Sequence, residues 1–269
     1  MNERLISYKS YLIGIHRSDN YFCKMRVLFS YLEKNNIQFV ELTKEQLAEF
    51  FTQGNYKSKS INCFLDAGRD YCRFIQLEKS PFFEIKMLKV EQKLKNYITL
   101  DEINKAIKYI ATEKSYEYST KIQAILYFMI YTAIRKSALL LLKRSAFDLE
   151  NNLVRVYEPK TKEEKIIPFP DNVKKKLINY FATEKEDINA FNIDEGTLNY
   201  LFKGILSKYI GRKVYPHLTR SGGITLMFEK GLPPNIIMQI AGHKDLKTTM
   251  IYARPTQKDI ERIYRERIK

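Results

Sequence analysis

The residues that could do chemistry lie late in the chain. Tyr215-Pro216-His217-Leu218-Thr219-Arg220, then Gly242-His243 and Tyr252, hold two of the three histidines of the 269 residues. His217 and Arg220 follow Pro216 at the start of a predicted helix that runs to Lys230 and stops at Gly231, so both side chains leave one face of its first turn. A helix start with exposed amides, a guanidinium and an imidazole is a seat for an anion. A second helix opens at Pro233-Pro234 and ends at Gly242. Asp245 caps one more short helix, with Tyr252 near its far end. Nine residues separate His243 from Tyr252, a span that can bring an imidazole and a phenol to one anion. A lone H-x-x-R carries almost no information, and one tyrosine among 19 is ordinarily a packing residue. The ordered set carries the signal, and it needs partners upstream.

Those partners must be positioned by what precedes. Helices are expected at about 100–112 and 118–132, the second almost wholly apolar from Ile122 to Ile130 and so buried on all sides. It runs into Tyr131-Thr132-Ala133-Ile134-Arg135-Lys136-Ser137. A charge emerging from a core helix must be paired, either with a ligand or with backbone carbonyls. A strand pattern follows: 153–157 and 165–168 flank a charged tip, Glu158 to Glu164, as a β-hairpin.

Together, Thr132 to Leu139, the hairpin, His217-x-x-Arg220, Gly242-His243 and Tyr252 resemble the catalytic signature of the tyrosine recombinases, the family of phage integrases and Xer-type resolvases. The resemblance spans residues 132 to 252. It implies that Arg135 and Arg220 hold the phosphate oxygens and that Lys160 protonates the departing 5′ oxygen, with Lys162 in its place if the register slips. His217 would accept the phenol proton and His243 would donate to a phosphate oxygen. Tyr252 would carry the DNA as a 3′-phosphotyrosine. This sequence departs from the family pattern twice, with Ala133 where a glycine is usual and Ala138 where an acidic residue is usual. No cofactor and no metal are implied, in keeping with a sequence that has no Walker loop and no metal-spaced His/Cys cluster.

Composition points the same way. With 46 Lys+Arg against 31 Asp+Glu, a net charge of +15 and a pI near 9.5, the chain calls for a polyanionic partner. A ribosome-associated or membrane-surface protein would share that balance. Cys23, Cys63 and Cys72 show no C-x-x-C spacing and are expected as buried, reduced thiols. The longest apolar run, Ala124 to Ile134, is too short for a bilayer, and no signal peptide precedes Met1-Asn2-Glu3-Arg4, so a cytoplasmic protein is expected.

The expected fold is mainly α with a small β-hairpin or sheet, in two domains. Residues 1–79 form a helical bundle, with Tyr21, Met25, Leu28, Phe29 and Leu32 as one apolar stripe and Thr43-x-x-Gln46 as a capping box. Its helix from about 57 to 77 buries Ile61, Phe64, Leu65, Tyr71 and Phe74 and leaves Lys57, Lys59, Arg69 and Arg73 for phosphates. This bundle resembles the family's core-binding domain, and the chain opens almost directly on it, as a core-site enzyme would. Residues 80–98 read as a basic linker whose Lys86, Lys89, Lys93 and Lys95 suit a strap over a phosphate backbone. The catalytic domain occupies 99–255, opened by a second capping box, Thr99-x-x-Glu102. A tail, 256–269, with Ile260, Ile263, Tyr264 and Ile268 at helical spacing, must dock, either on a neighbouring protomer or on its own domain.

The expected function is site-specific recombination of double-stranded DNA at inverted-repeat core sites by a tetramer assembled on the DNA, in integration, excision or resolution. The alternatives are a type IB topoisomerase, a catalytically silent DNA-binding protein, and a metal-dependent nuclease or transposase.

Overall fold

The computed structural model describes residues 3–15, 19–90, 96–183, 189–253, 261, 264, 265 and 268. Most of the expected tail helix and Lys93 and Lys95 of the expected strap lie outside the described residues. The chain divides into two units, Met1–Lys93 and Leu94–Lys269. As expected from the sequence, the described residues are mostly helical with one small sheet.

In the first unit, α1 (Glu3–Gly14), α2 (Asp19–Lys34), α3 (Lys44–Gln53) and α4 (Ser58–Phe74) enclose an aromatic core. The α2 stripe is Phe22, Met25, Leu28, Phe29 and Leu32, with Tyr21 at its rim. At the start of α3, Thr43 accepts from the Gln46 amide while the Gln46 side chain accepts from the Thr43 amide, the reciprocal cap read from the sequence. Tyr71 takes Tyr8, Phe39 and Phe29 edge-on at 4.9, 4.9 and 5.3 Å. Tyr8 donates to Asp70 Oδ2 at 2.8 Å, so the buried hydroxyl and the buried carboxylate satisfy each other. A short helix, α5 (Pro81–Glu84), brings Phe82 into this core with no exposure. Gly68 on α4 makes the room, since a Cβ there would stand 2.2 Å from the Phe82 ring. The first part of the stretch read as a linker is thus core, and Asn62 extends the hold by two 2.8 Å hydrogen bonds with the Leu88 backbone.

In the second unit, α6 (Leu100–Glu113) begins at the Thr99–Glu102 capping box and α7 (Tyr116–Thr132) is buried along its apolar run. After α8 (Lys136–Leu140) come β1 (Phe147–Asp148), β2 (Leu153–Glu158) and β3 (Glu163–Pro168), an antiparallel sheet in the order β1-β2-β3. The hairpin is longer in its strands and shorter in its tip than the sequence suggested, because Glu158 pairs with Glu163. Then follow α9 (Asp171–Thr183) and α10 (Glu195–Tyr200), the latter continuing through a π-helical stretch at 201–206 into α11 (Ser207–Ile210). The site-bearing elements are α12 (His217–Glu229), α13 (Pro234–Ala241) and α14 (Leu246–Met250). Among the described residues no helix is long and apolar enough to cross a membrane. Of the three thiols only Cys72 is buried, whereas Cys63 is half-buried and Cys23 is exposed, against the expectation for all three.

Candidate active site

Two helix ends and a hairpin converge to make the site. α7 stops at Ala133, which adopts a left-handed φ of 49°. Only a residue that tolerates that region can turn the chain there, and alanine does so at a cost that glycine would escape. The turn throws Arg135 out of the core at the head of α8. α13 stops at Gly242, also left-handed at φ 63°. Both ends leave carbonyls without helical partners, and the two arginines take them.

Arg220 is 3% exposed and donates to Ala133 O at 2.7 Å and Ala241 O at 2.6 Å. Arg135 donates to Gly242 O at 2.6 Å. The negative ends of α7 and α13 therefore hold two like charges together, as the helix dipole favours. Burial, and then the neighbouring Arg135, bring the Arg220 pKa down to about 10, with Glu158 and Tyr252 acting the other way. Close approach is licensed by two glycines one turn into α12. A Cβ on Gly222 would stand 2.0 Å from Ile98 O, and one on Gly223 would stand 2.1 Å from Ile130 O of α7. Gly242 does the same at the site itself, where a Cβ would meet Lys165 Nζ at 2.9 Å and Arg135 Nη1 at 3.3 Å.

The hairpin contributes what the sequence reading missed. Glu158, assigned there to the exposed tip, is 2% exposed and pairs through Oε2 with Arg135 Nη1 at 2.8 Å and through Oε1 with Lys165 Nζ at 3.0 Å. Lys165 also donates to Ile240 O at 2.8 Å. Burial alone would raise the Glu158 carboxyl, but Arg135 and Lys165 outweigh it and leave it below the ordinary carboxylate value. Burial pushes the Lys165 ammonium down; Glu158 opposes this, and Arg220 and Arg135 add to it. A signal for both residues was available. On β2 the inward positions alternate as Val154, Val156 and Glu158, and on β3 Lys165 shares a face with the buried Ile167.

The remaining expected site residues fall as follows. Tyr252 lies two residues beyond α14 rather than within it, is 9% exposed, and sets its hydroxyl 3.3 Å from Ser221 Oγ, next to Arg220 in the chain. Ala133, Ile224, Met227, Ile237 and Ala241 share its apolar cluster. His243 follows Gly242 and bonds through Nδ1 to Thr249 Oγ1 at 2.8 Å. His217 opens α12 on its exposed side, while Arg220 points inward. The first amides of α12 are not an open anion seat, since Leu218 and Thr219 donate to Tyr215 O and Pro216 O. Lys160 is exposed in the turn two residues beyond Glu158. Lys162, also exposed, closes that turn with φ 57° and an amide bond to Glu158 O.

In the first unit Lys57, Lys59, Arg73, Lys86 and Lys89 are exposed. Arg69 differs. It donates to Phe82 O and Ile85 O, both at 2.8 Å, and so braces α5.

Comparison with known proteins bears on this geometry. Residues 96–259 match the model of the phage integrase family. A tyrosine recombinase XerA of Saccharolobus solfataricus is 29% identical over 208 residues, which cover 77% of this chain and 67% of the relative. A XerA of Thermococcus onnurineus is 26% identical over 95% of this chain and 92% of its own. Among solved structures, the Tn1549 transposon integrase in complex with transposon right end DNA shares the fold, with a TM-score of 0.74, 18% identity and coverage of 98% and 99% of the two chains. A lambda integrase dimer bound to a core site does so with a TM-score of 0.69 and 15% identity, over 96% of each chain.

Proposed function

Because the chain belongs to the phage integrase family, the tyrosine recombinases, we propose that Tyr252 is the nucleophile with which it cuts DNA and that Arg135 and Arg220 are the seat of the scissile phosphate. The protein is a site-specific recombinase, an enzyme that breaks and rejoins DNA strands. One observation carries the residue assignment: two guanidiniums held by the ends of α7 and α13, with the buried Tyr252 hydroxyl on Ser221, the chain neighbour of the second of them.

A phosphodiester repels an incoming nucleophile, and an ordinary phenol is only about one part in a thousand ionised at neutral pH. Fixed cations answer both difficulties. The arginines offset the charge on the nonbridging oxygens and stabilise the additional charge of the pentacoordinate transition state. His217 accepts the phenol proton and His243 donates to a phosphate oxygen, the latter ring being oriented by Thr249. Lys160 protonates the departing 5′ oxygen from a turn that can close over the strand. The bond energy is kept in a 3′-phosphotyrosine for transfer to another strand.

In this reading the first unit grips the duplex through Lys57, Lys59, Arg73, Lys86 and Lys89, and the enzyme works in the cytoplasm on inverted-repeat sites as a tetramer. The test is trapping on a nicked duplex built from the DNA that flanks the gene. Wild type forms a covalent adduct in the presence of EDTA, and Tyr252→Phe forms none while still binding the duplex. An adduct that survives in Tyr252→Phe, or that EDTA abolishes, rejects the assignment.

A further inference from the structure

Glu158 takes two cations of the site at once, and its main chain closes the hairpin turn. The guanidinium of Arg135 is a rigid plane, so fixing two of its nitrogens fixes its orientation. One is held by Gly242 O at 2.6 Å and the other by Glu158 Oε2 at 2.8 Å. Lys165, on the other carboxylate oxygen, ties β3 to the end of α13 through Ile240 O. The carbonyl of Glu158 accepts from the amides of Thr161 and Lys162 at 3.2 and 2.8 Å, the bonds that shape the turn bearing Lys160.

We propose that Glu158 is the positioning carboxylate of this site, aligning Arg135 with its side chain and the Lys160 turn with its main chain. This rests on the assignment of Arg135 and Lys160 to the reaction. A shift of this one residue would move the phosphate-binding plane and the turn together, so the arginine seat and the proton donor are set as one unit. A position on α8 offers a second place for the charge. Ala138 is 1% exposed and lies three residues beyond Arg135 in the first turn of α8, a spacing from which a longer acidic side chain faces the same guanidinium.

The experiment follows single-turnover adduct formation on the nicked duplex, with duplex affinity and thermal unfolding measured separately. Glu158→Gln slows adduct formation about 10- to 100-fold, the range for a residue that orients a reacting group, with duplex affinity little changed. Adding Ala138→Glu to Glu158→Gln recovers most of the rate. A rescue of this kind is beyond a merely structural role, which would move stability alone. If Glu158→Gln does not fold, Glu158→Gln with Lys165→Met removes the stranded ammonium and stands in for it. A folded variant of either kind that cleaves at the wild-type rate overturns the proposal, as does a slowed one that Ala138→Glu leaves slow. A second readout separates this failure from failure of the Tyr252 assignment. The side-chain nitrogen resonances of Arg135 in the full chain are restricted in wild type and averaged in Glu158→Gln; equal averaging in both overturns the proposal whatever the DNA assay shows.

Discussion

The cores of the two units bury different things. The first is a lattice of rings, Tyr8, Phe29, Phe39, Tyr71 and Phe82, in which the Tyr8 hydroxyl donates to the buried Asp70. The second packs aliphatic side chains and phenylalanines around its helices, yet at one edge it buries Arg220 and Glu158 and half-buries Arg135 and Lys165. The contrast is sharpest in two arginines with the same bonding. Arg69 and Arg220 each donate to two backbone carbonyls near helix ends. Arg69 braces a short helix. Arg220 stands beside a second guanidinium and a phenol, an arrangement that costs stability and that folding alone does not require. Like charges held together at a cost in stability set this edge of the second unit apart.

Five measurements would break or sharpen that contrast. The largest effect is expected at Glu158: Glu158→Ala strands two cations and should cost about 3–5 kcal/mol in urea unfolding, whereas Tyr8→Phe removes one hydrogen bond to Asp70 and should cost about 1–3 kcal/mol. The pH dependence has a definite sign. The folded Glu158 carboxyl lies below its ordinary 4.5, so its contribution is complete above that pH and is lost as pH falls through the folded value. The stability gap between wild type and Glu158→Gln should be flat from neutral pH to about 4.5 and narrow below it. A gap that widens on acidification contradicts the ion pairing.

Next, Arg220→Met should lower adduct formation by about 10²–10³, while Arg69→Met lowers the melting temperature and leaves the rate per bound complex unchanged. Equal rate losses would erase the distinction between a brace and a phosphate ligand. Then the glycines: Gly223→Ala pushes a methyl against the backbone of Ile130, Gly68→Ala pushes one into the base of the fully buried Phe82 ring, and each should cost about 3 kcal/mol by calorimetry. Smallest is Ala133→Gly. Relief of the left-handed conformation is worth about 1–2 kcal/mol and the lost buried methyl about 0.8 kcal/mol, so the melting temperature should rise slightly.

Much of this was legible in the chain. Both capping boxes, the stop at Gly242, the cap at Asp245 and the hairpin follow from local chemistry, and local chemistry is written in sequence order. The order of arginines, histidines and tyrosine identified the family. What escaped were the residues whose role depends on distant partners. Glu158 and Lys165 sit in a run of charges that composition assigns to solvent, and only the period-two alternation of the strands betrays that they turn inward to Arg135 and Ile240. Arg69 was counted among basic side chains for phosphates because nothing nearby in sequence announces that the α5 carbonyls need it. Ala138 left Arg135 without its usual acidic neighbour, and the missing charge comes from another element 20 residues on.

The five residues of α14 have a mechanical implication. A helix so short has no stability of its own. Among its moorings are the Asp245 cap, the buried Thr249 bonded to His243, the Tyr252 hydroxyl beside Ser221 and the apolar cluster around the Tyr252 ring. A severed strand attached to Tyr252 would hang from this leash, and any pull on it would slacken the leash first. The guanidiniums, anchored on other helices, would stay behind as a fixed dock while the cargo swings out to its new partner.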